Sequence, residues 1–317
     1  MSLSTGLLLV ALAVLFIILG KAADIIIVHI RALAEKIGLS IFFLGILLGM
    51  LTSLPELAIG LNAITENIGG IALGNLMGGI VVLLCLVLGT SALLNRNIKT
   101  NGKTTRFLPI LLYILLPIGL GFDGRIGIID GAVLVILYFW LLYTFYLQRH
   151  PNTTKKSSTY KAQTVLKDGF YVVAALALVV VSSTGIVRVT ERLLESYPVS
   201  PFLVGLLLYS LGTNLPELTV TFRSWKNNIR DLSLSNLIGS SISNIFLIGV
   251  FATMKPFAVS LTASHYAFGA FMVVMLTVVF IFYKTSNKIT RIEGLALVCL
   301  YIAFLATQTL AIIGNEL

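Results

Sequence analysis

The sequence predicts an all-α polytopic membrane protein of about ten transmembrane helices, arranged as two inverted five-helix repeats. Three observations carry that prediction. Apolar residues make up 57% of the 317-residue chain and charged residues 11%, with a mean hydropathy of +1.00, far above an ordinary soluble domain. Apolar runs long enough to cross a bilayer recur from end to end, separated by short polar joints. A proline-containing motif in the first half returns in the second half.

A hydrocarbon core about 30 Å thick asks for about 20 apolar residues per helix. Runs that meet this lie near residues 5–28, 40–63, 71–94, 106–121, 126–147, 169–190, 201–222, 233–253, 263–283 and 291–313. They are too long for barrel strands and lack polar and apolar alternation. The first run, "LSTGLLLVALAVLFIILGKAADIII", has no basic residue before it and no small-x-small cleavage site, so it reads as a retained helix. Cys85 and Cys299 both lie in apolar runs and read as packing residues, with no disulfide, redox or metal pattern.

The formal charge of +9 is a matter of topology. Alternate joints collect Arg31 and Lys36, then Arg96, Lys99, Lys103 and Arg106, then Arg149, Lys155, Lys156, Lys161 and Lys167, then Arg223, Lys226 and Arg230, and finally Lys284, Lys288 and Arg291. The opposite side receives Arg125, Arg188, Arg192 and Lys255. This bias puts the basic side in the cytoplasm and both termini outside. No aromatic-interleaved basic domain is present to hold a nucleic acid. The composition suits an integral protein of a prokaryotic plasma (inner) membrane, with the lipid bilayer as its surroundings and no signal for an oligomeric state.

The longest polar joint, residues 148–168, divides the chain into a first five-helix repeat (1–147), a cytoplasmic linker and a second five-helix repeat (169–317). An odd number of spans per half requires the second copy to sit upside down relative to the first. "TSLPELAIGLNAITENIGGIALGNLMGG" from Thr52 aligns without a gap on "TNLPELTVTFRSWKNNIRDLSLSNLIGS" from Thr213. Pro55 pairs with Pro216, Glu56 with Glu217, Asn75 with Asn236 and Gly78 with Gly239, each pair 161 positions apart.

A proline inside a helix removes a hydrogen bond to the carbonyl four residues back, here that of Leu51 or Gly212. In a membrane such a carbonyl is tolerated only inside protein or facing a cavity, and a cation can satisfy it. Thr52 and Glu56 share one helical face, as do Thr213 and Glu217. Two carboxylates, with hydroxyls and carbonyls as neutral oxygen donors, match what a hard divalent cation such as calcium prefers. Burying each ionisable residue costs from about 2.5 kcal/mol upward, which favours a functional reading over a structural ion pair. The nearest intramembrane base is Lys21, on a run that also carries Asp24.

"TSLPEL" and "GTNLPEL", each followed 18 residues after the glutamate by a "GNxxG" or "SNxxGS" segment, resemble the two alpha-repeats of the calcium/cation antiporter superfamily, which includes the sodium/calcium exchangers. The resemblance implies a sodium/calcium exchanger-like fold with the motif residues of the second and seventh helices binding calcium and sodium in turn. By position it implicates Thr52, Ser53 and Glu56 with Thr213, Asn214 and Glu217. From the eighth helix it adds Ser240 and Asn244, where the chain reads "GSSISN", and Asn236 extends that stripe by a turn.

The chain also departs from the family pattern, as a divergent member with an eroded first repeat. Where the second repeat has Ser240 and Asn244, the first has Gly79 and Leu83. Gly79 reads as a close-packing residue on a small-residue interface. The first repeat has "MLT" where the second has "LGT", and Gly45 to Thr52 is one residue shorter than Gly205 to Thr213. Fewer side-chain ligands make proton coupling through Glu56 or Glu217 a competitor to sodium coupling, because a carboxyl group out of water can trade a cation for a proton.

The reading is a secondary active cation antiporter with no permanent cofactor, whose substrates are calcium and sodium or protons. A passive cation channel, or a non-transporting ion-sensing relative, is the alternative. A membrane-embedded enzyme lacks a nucleophile set or a His-rich metal cluster. His29 and His265 read as interfacial, and the lysines of the linker follow from the charge bias.

Overall fold

The computed structural model describes residues 3–37, 53–95, 97–100, 104–147, 162–196, 200–215, 217–218, 234–259 and 263–314. Each apolar run is helical over most of its described residues. In chain order the helices are α1 (Leu3–Ile37), α2 (Leu54–Thr65), α3 (Gly69–Asn95), α4 (Thr104–Leu120), α5 (Ile128–Leu147), α6 (Ala162–Ser196), α7 (Pro201–Thr213), α8 (Leu234–Met254), α9 (Ala263–Lys284) and α10 (Arg291–Gly314). Among the described residues six are long and apolar enough to cross a bilayer, and α4, α5 and α7 are shorter apolar helices. Helix α6 begins at Ala162, inside the stretch expected as linker, so α1 and α6 are both longer than a hydrocarbon core requires.

Helix α3 lies at the centre, with every residue from Ile71 to Cys85 buried. It packs against α2, α7, α8 and α10. Helices α1 and α6 pack chiefly on each other at the periphery, and only 33% of each span is buried. Their outer faces carry exposed Leu7, Val14, Ile17, Val173, Val180 and Val181, as a lipid-facing surface requires. At one end of this pair His29 Nδ1 lies 2.8 Å from Asp168 Oδ1, and its ring stacks on Tyr171.

The inverted symmetry is written in contacts the sequence did not reveal. Two short antiparallel ribbons, absent from an all-α expectation, tie the repeats together. Strand β1 (Asn97–Lys99) pairs with β4 (Lys288–Thr290), and β2 (Arg125–Ile126) with β3 (Phe257–Ala258). Each ribbon joins the joint after the third helix of one repeat to the joint after the fourth helix of the other. Exchanging the repeats turns one ribbon into the other. The same exchange relates two glycine crossings: a Cβ on Gly89 of α3 would lie 2.8 Å from Gly294 O of α10, and one on Gly131 of α5 would lie 2.6 Å from Gly249 O of α8. Glycine at these points lets the helix backbones touch.

Candidate cation site

The site forms where α2 starts and α7 ends. Ser53, just before α2, has φ −93° and ψ 15°, and Asn214, just after α7, has φ −95° and ψ 10°. These residues occupy matching positions in the two repeats and share one non-helical conformation. Pro55 therefore stands in the first turn of a new helix instead of kinking the interior of one, a position where its missing N–H costs nothing. The chain resumes with Leu57 N donating to Ser53 O at 2.9 Å and Leu218 N donating to Asn214 O at 3.3 Å.

Glu56, in the first turn of α2, is buried, and its Oε2 has no hydrogen-bond partner among the described residues. The Thr213 hydroxyl lies beside the Glu56 carboxylate and donates to Asn75 Oδ1 at 3.3 Å. Glu217 is half-buried and near enough to Glu56 to feel its charge. Around them, Asn214 Nδ2 donates to Ser210 O at 2.8 Å and to Thr213 Oγ1 at 3.3 Å. Asn244 Nδ2 donates to Leu76 O at 3.2 Å, and its Oδ1 accepts from Ser53 Oγ at 3.4 Å. Ser240 is buried one helical turn before Asn244.

Of the residues the sequence nominated, Ser53, Glu56, Thr213, Asn214, Glu217 and Asn244 thus converge between α2, α3, α7 and α8, with Ser240 buried one turn away on α8. Thr52 lies outside the described residues, as do Leu51, Pro216 and the side chain of Asn236. Lys21 is exposed on α1 while Glu56 is buried. His265 packs near Phe202, on the joint side of α9.

One participant was missing from the nominated set. Asn75 is fully buried, holds Thr213 through its Oδ1 and has no partner for its Nδ2 among the described residues. Its signal was present in the repeat alignment, where it pairs with Asn236, but spacing alone did not say that it turns toward the seventh helix.

Gly79 has a sharper role than close packing. A Cβ there would meet Asn244 Nδ2 at 2.9 Å and Asn214 Nδ2 at 3.3 Å. The position that lost its hydroxyl in the first repeat is the space into which two amides of the second repeat fit. The missing ligand and the crossing amides are one arrangement.

The extra residue between Gly205 and Thr213 is taken up by a π-helical turn, Gly205–Tyr209. That turn lies against α3 at backbone distance: a Cβ on Gly74 would be 2.1 Å from Phe202 O, and one on Gly205 would be 2.3 Å from Ile71 O.

The model of the sodium/calcium exchanger protein family matches residues 7–147 and 168–310. The chain belongs to that family. It is a membrane cation antiporter of the exchanger type, and the family is one of transporters. Among relatives, it is 29% identical to an uncharacterised membrane protein of Methanocaldococcus jannaschii, over 92% of this chain and 94% of that one. It is 25% identical to the sodium/calcium exchanger MaX1 of Methanosarcina acetivorans, over 91% of this chain and 95% of that one. A solved structure of the sodium-calcium exchanger NCX_Mj, soaked with sodium and strontium, matches with a TM-score of 0.66 at 26% identity, covering 95% of this chain and 98% of that one.

Proposed function

We propose that the protein carries calcium, or a divalent cation of similar size, across the membrane in exchange for sodium or protons by alternating access. The observation that carries this reading is a buried glutamate, Glu56, whose Oε2 has no hydrogen-bond partner among the described residues, set near a second carboxylate, Glu217, at paired breaks in two helices. A carboxylate oxygen taken out of water needs a cation or a proton. The hydroxyls of Ser53, Thr213 and Ser240 and the amides of Asn214 and Asn244 supply neutral oxygens of the kind calcium takes, and Thr52 completes the set. The family's membership and the relatives' names support cation exchange.

The two repeats, 1–147 and 169–317, form the opposing halves of the site. Both termini lie outside and the central linker is cytoplasmic, in the inner membrane of a prokaryote. The lysine and arginine bias supports this orientation, and the ribbon between β1 and β4 supports it further by joining two of the basic joints on one side. No resident cofactor takes part.

The test is flux into liposomes holding the purified protein, loaded with calcium and challenged with gradients of sodium, potassium or protons in turn. A gradient that drives calcium, and loses its effect in Glu217→Gln, supports the reading. No driven movement from any gradient defeats it. Calcium flux that persists without a counter-ion identifies a channel, a reading that buried, apolar Leu83 opposes by leaving no continuous polar path along α3.

A further inference from the structure

A cage of oxygens has little use for an amide nitrogen, yet one lies unpaired beside the two carboxylates. Asn75 is fully buried, its Oδ1 accepts from the Thr213 hydroxyl at 3.3 Å, and its Nδ2 has no hydrogen-bond partner among the described residues. A buried donor left unpaired costs free energy, and an amide NH2 group offers a cation only donors. Asn75 is also the one side chain of α3 between Ile71 and Cys85 that carries an amide, a hydroxyl or a charge. It stands one helical turn before Gly79, on the same face. A Cβ on Gly79 would meet Asn244 Nδ2 at 2.9 Å and Asn214 Nδ2 at 3.3 Å, so that face is turned toward the site.

The hydroxyl between Asn75 and Glu56 decides which amide atom is left over. Thr213 Oγ1 has one proton to give and two lone pairs. It accepts from Asn214 Nδ2 at 3.3 Å and gives its proton to Asn75 Oδ1, while Glu56 Oε2 beside it has no partner among the described residues. The two amide atoms of Asn75 exchange places by a half-turn about χ2, a broad and roughly two-fold torsion. After that turn Asn75 Nδ2 donates to Thr213 Oγ1, both lone pairs of the hydroxyl are used, and its proton goes to one oxygen of the Glu56 carboxylate. Asn75 Oδ1 takes the place of the unpaired nitrogen. The atoms left over on this side are then all oxygens, the donors a hard cation collects in sets of about six to eight.

Resting on the antiport reading above, we propose that Asn75 is a ligand for the transported cation, offering its amide oxygen by a half-turn that hands the Thr213 hydroxyl proton from Asn75 to Glu56. In the arrangement seen, the amide braces Thr213; with a cation at the carboxylates it turns to the ion. The third helix of the first repeat thereby contributes a ligand one turn from Gly79, which has no side chain to offer, and two turns from apolar Leu83. The turn also resets a chain of hydrogen bonds that crosses the repeats, from Asn75 through Thr213 to Asn214.

Calcium titration calorimetry on the purified full chain in detergent tests this as a double-mutant cycle of Asn75→Ala and Thr213→Val. A ligand acts on the ion directly, so Asn75→Ala weakens calcium about fivefold in the parent protein and again in the Thr213→Val background. A loss that vanishes in the Thr213→Val background marks a residue acting only through the hydroxyl and overturns the proposal, as does an unchanged affinity in Asn75→Ala; antiport stands in either case. Absence of calcium binding in the parent protein overturns both. Infrared difference spectra need only the parent and Asn75→Ala, and decide the matter where Thr213→Val fails to fold. With asparagine labelled with heavy carbon at Cγ, calcium-minus-calcium-free spectra of the parent contain a side-chain carbonyl band that Asn75→Ala abolishes. Identical difference spectra from the two proteins mean that Asn75 does not answer to the ion, and overturn its role as a ligand.

Discussion

The third helix of each repeat occupies the same place in the inverted plan, yet the two have diverged. In the second repeat, α8 is regular from Leu234 to Met254 and presents Ser240 and Asn244. In the first, α3 passes into a π-helical segment at Val82–Val87, beginning beside Leu83, the position that matches Asn244. Sequence symmetry and structural symmetry have parted at this point while the ribbons, the glycine crossings and the Ser53 and Asn214 breaks have kept it. The scaffold demands two equal halves because each half buries the other, whereas a single ion site between them needs only that the ligands total correctly. On the third helices the second repeat supplies Ser240 and Asn244, and amides of that repeat cross into the space that Gly79 leaves.

That division of labour can be broken in graded ways. The carboxylates should remain equivalent despite the asymmetry around them. Glu56→Gln and Glu217→Gln should each lower gradient-driven calcium uptake by about a hundredfold or more, as expected when one partner of a buried charge set, worth about 3–5 kcal/mol, is removed. Radioactive calcium uptake would check this, and a mild effect in only one of the pair would mean that the halves are unequal in charge as well as in polarity.

The scaffold contrast is next in size. Gly78 and Gly239 are repeat partners, but a Cβ on Gly78 would lie 2.4 Å from Leu206 O, while one on Gly239 meets nothing within 4 Å among the described residues. Gly78→Ala should destabilise the fold by about 1–3 kcal/mol through overpacking against backbone. Gly239→Ala should leave it unchanged or raise stability by about 0.5–1 kcal/mol, since alanine is the better helix former. Thermal unfolding in detergent distinguishes the two, and equal losses would sink the claim that α3 is the more tightly held.

A third contrast probes the lining. Asn244→Leu removes bonds to Ser53 and to the Leu76 carbonyl and should weaken calcium binding about tenfold, whereas Leu83→Asn should change it by less than about threefold. Competition calorimetry would read both. A smaller effect than that of Asn244→Leu belongs to Asn75→Ala, which frees the Thr213 hydroxyl at a cost of about 1 kcal/mol and should weaken calcium about fivefold while melting remains close to that of the parent protein.

Much of this was legible in the sequence. Hydropathy revealed the ten runs because a bilayer imposes a length and an apolar surface on each crossing. The 161-residue spacing revealed the repeat and both carboxylates, since proline and glutamate are too costly in a membrane to recur by accident at matching positions. Legibility faded where the physics is not local. Asn75 could be seen as half of a pair, but its hydrogen bond to Thr213 spans 138 residues, and only the packing of α3 on α7 creates it. Gly79 looked like a lost ligand, and its value to Asn214 and Asn244 emerged only when three helices were brought together. The single extra residue after Gly205 could be counted, though not located in a π turn, because the choice between a loop and a widened helix depends on the backbone of α3 lying against it. The ribbons between joints had no apolar alternation to announce them, for strands of two or three residues are held by the helices that bring their ends together. The sequence by itself determined the membrane class, the inverted plan and the two charges at its centre, all fixed by the cost of burying polar groups in lipid. Tertiary structure alone decided how the halves share the site, with the Asn214 and Asn244 amides filling the space at Gly79, because that depends on what each side chain meets across the repeat boundary.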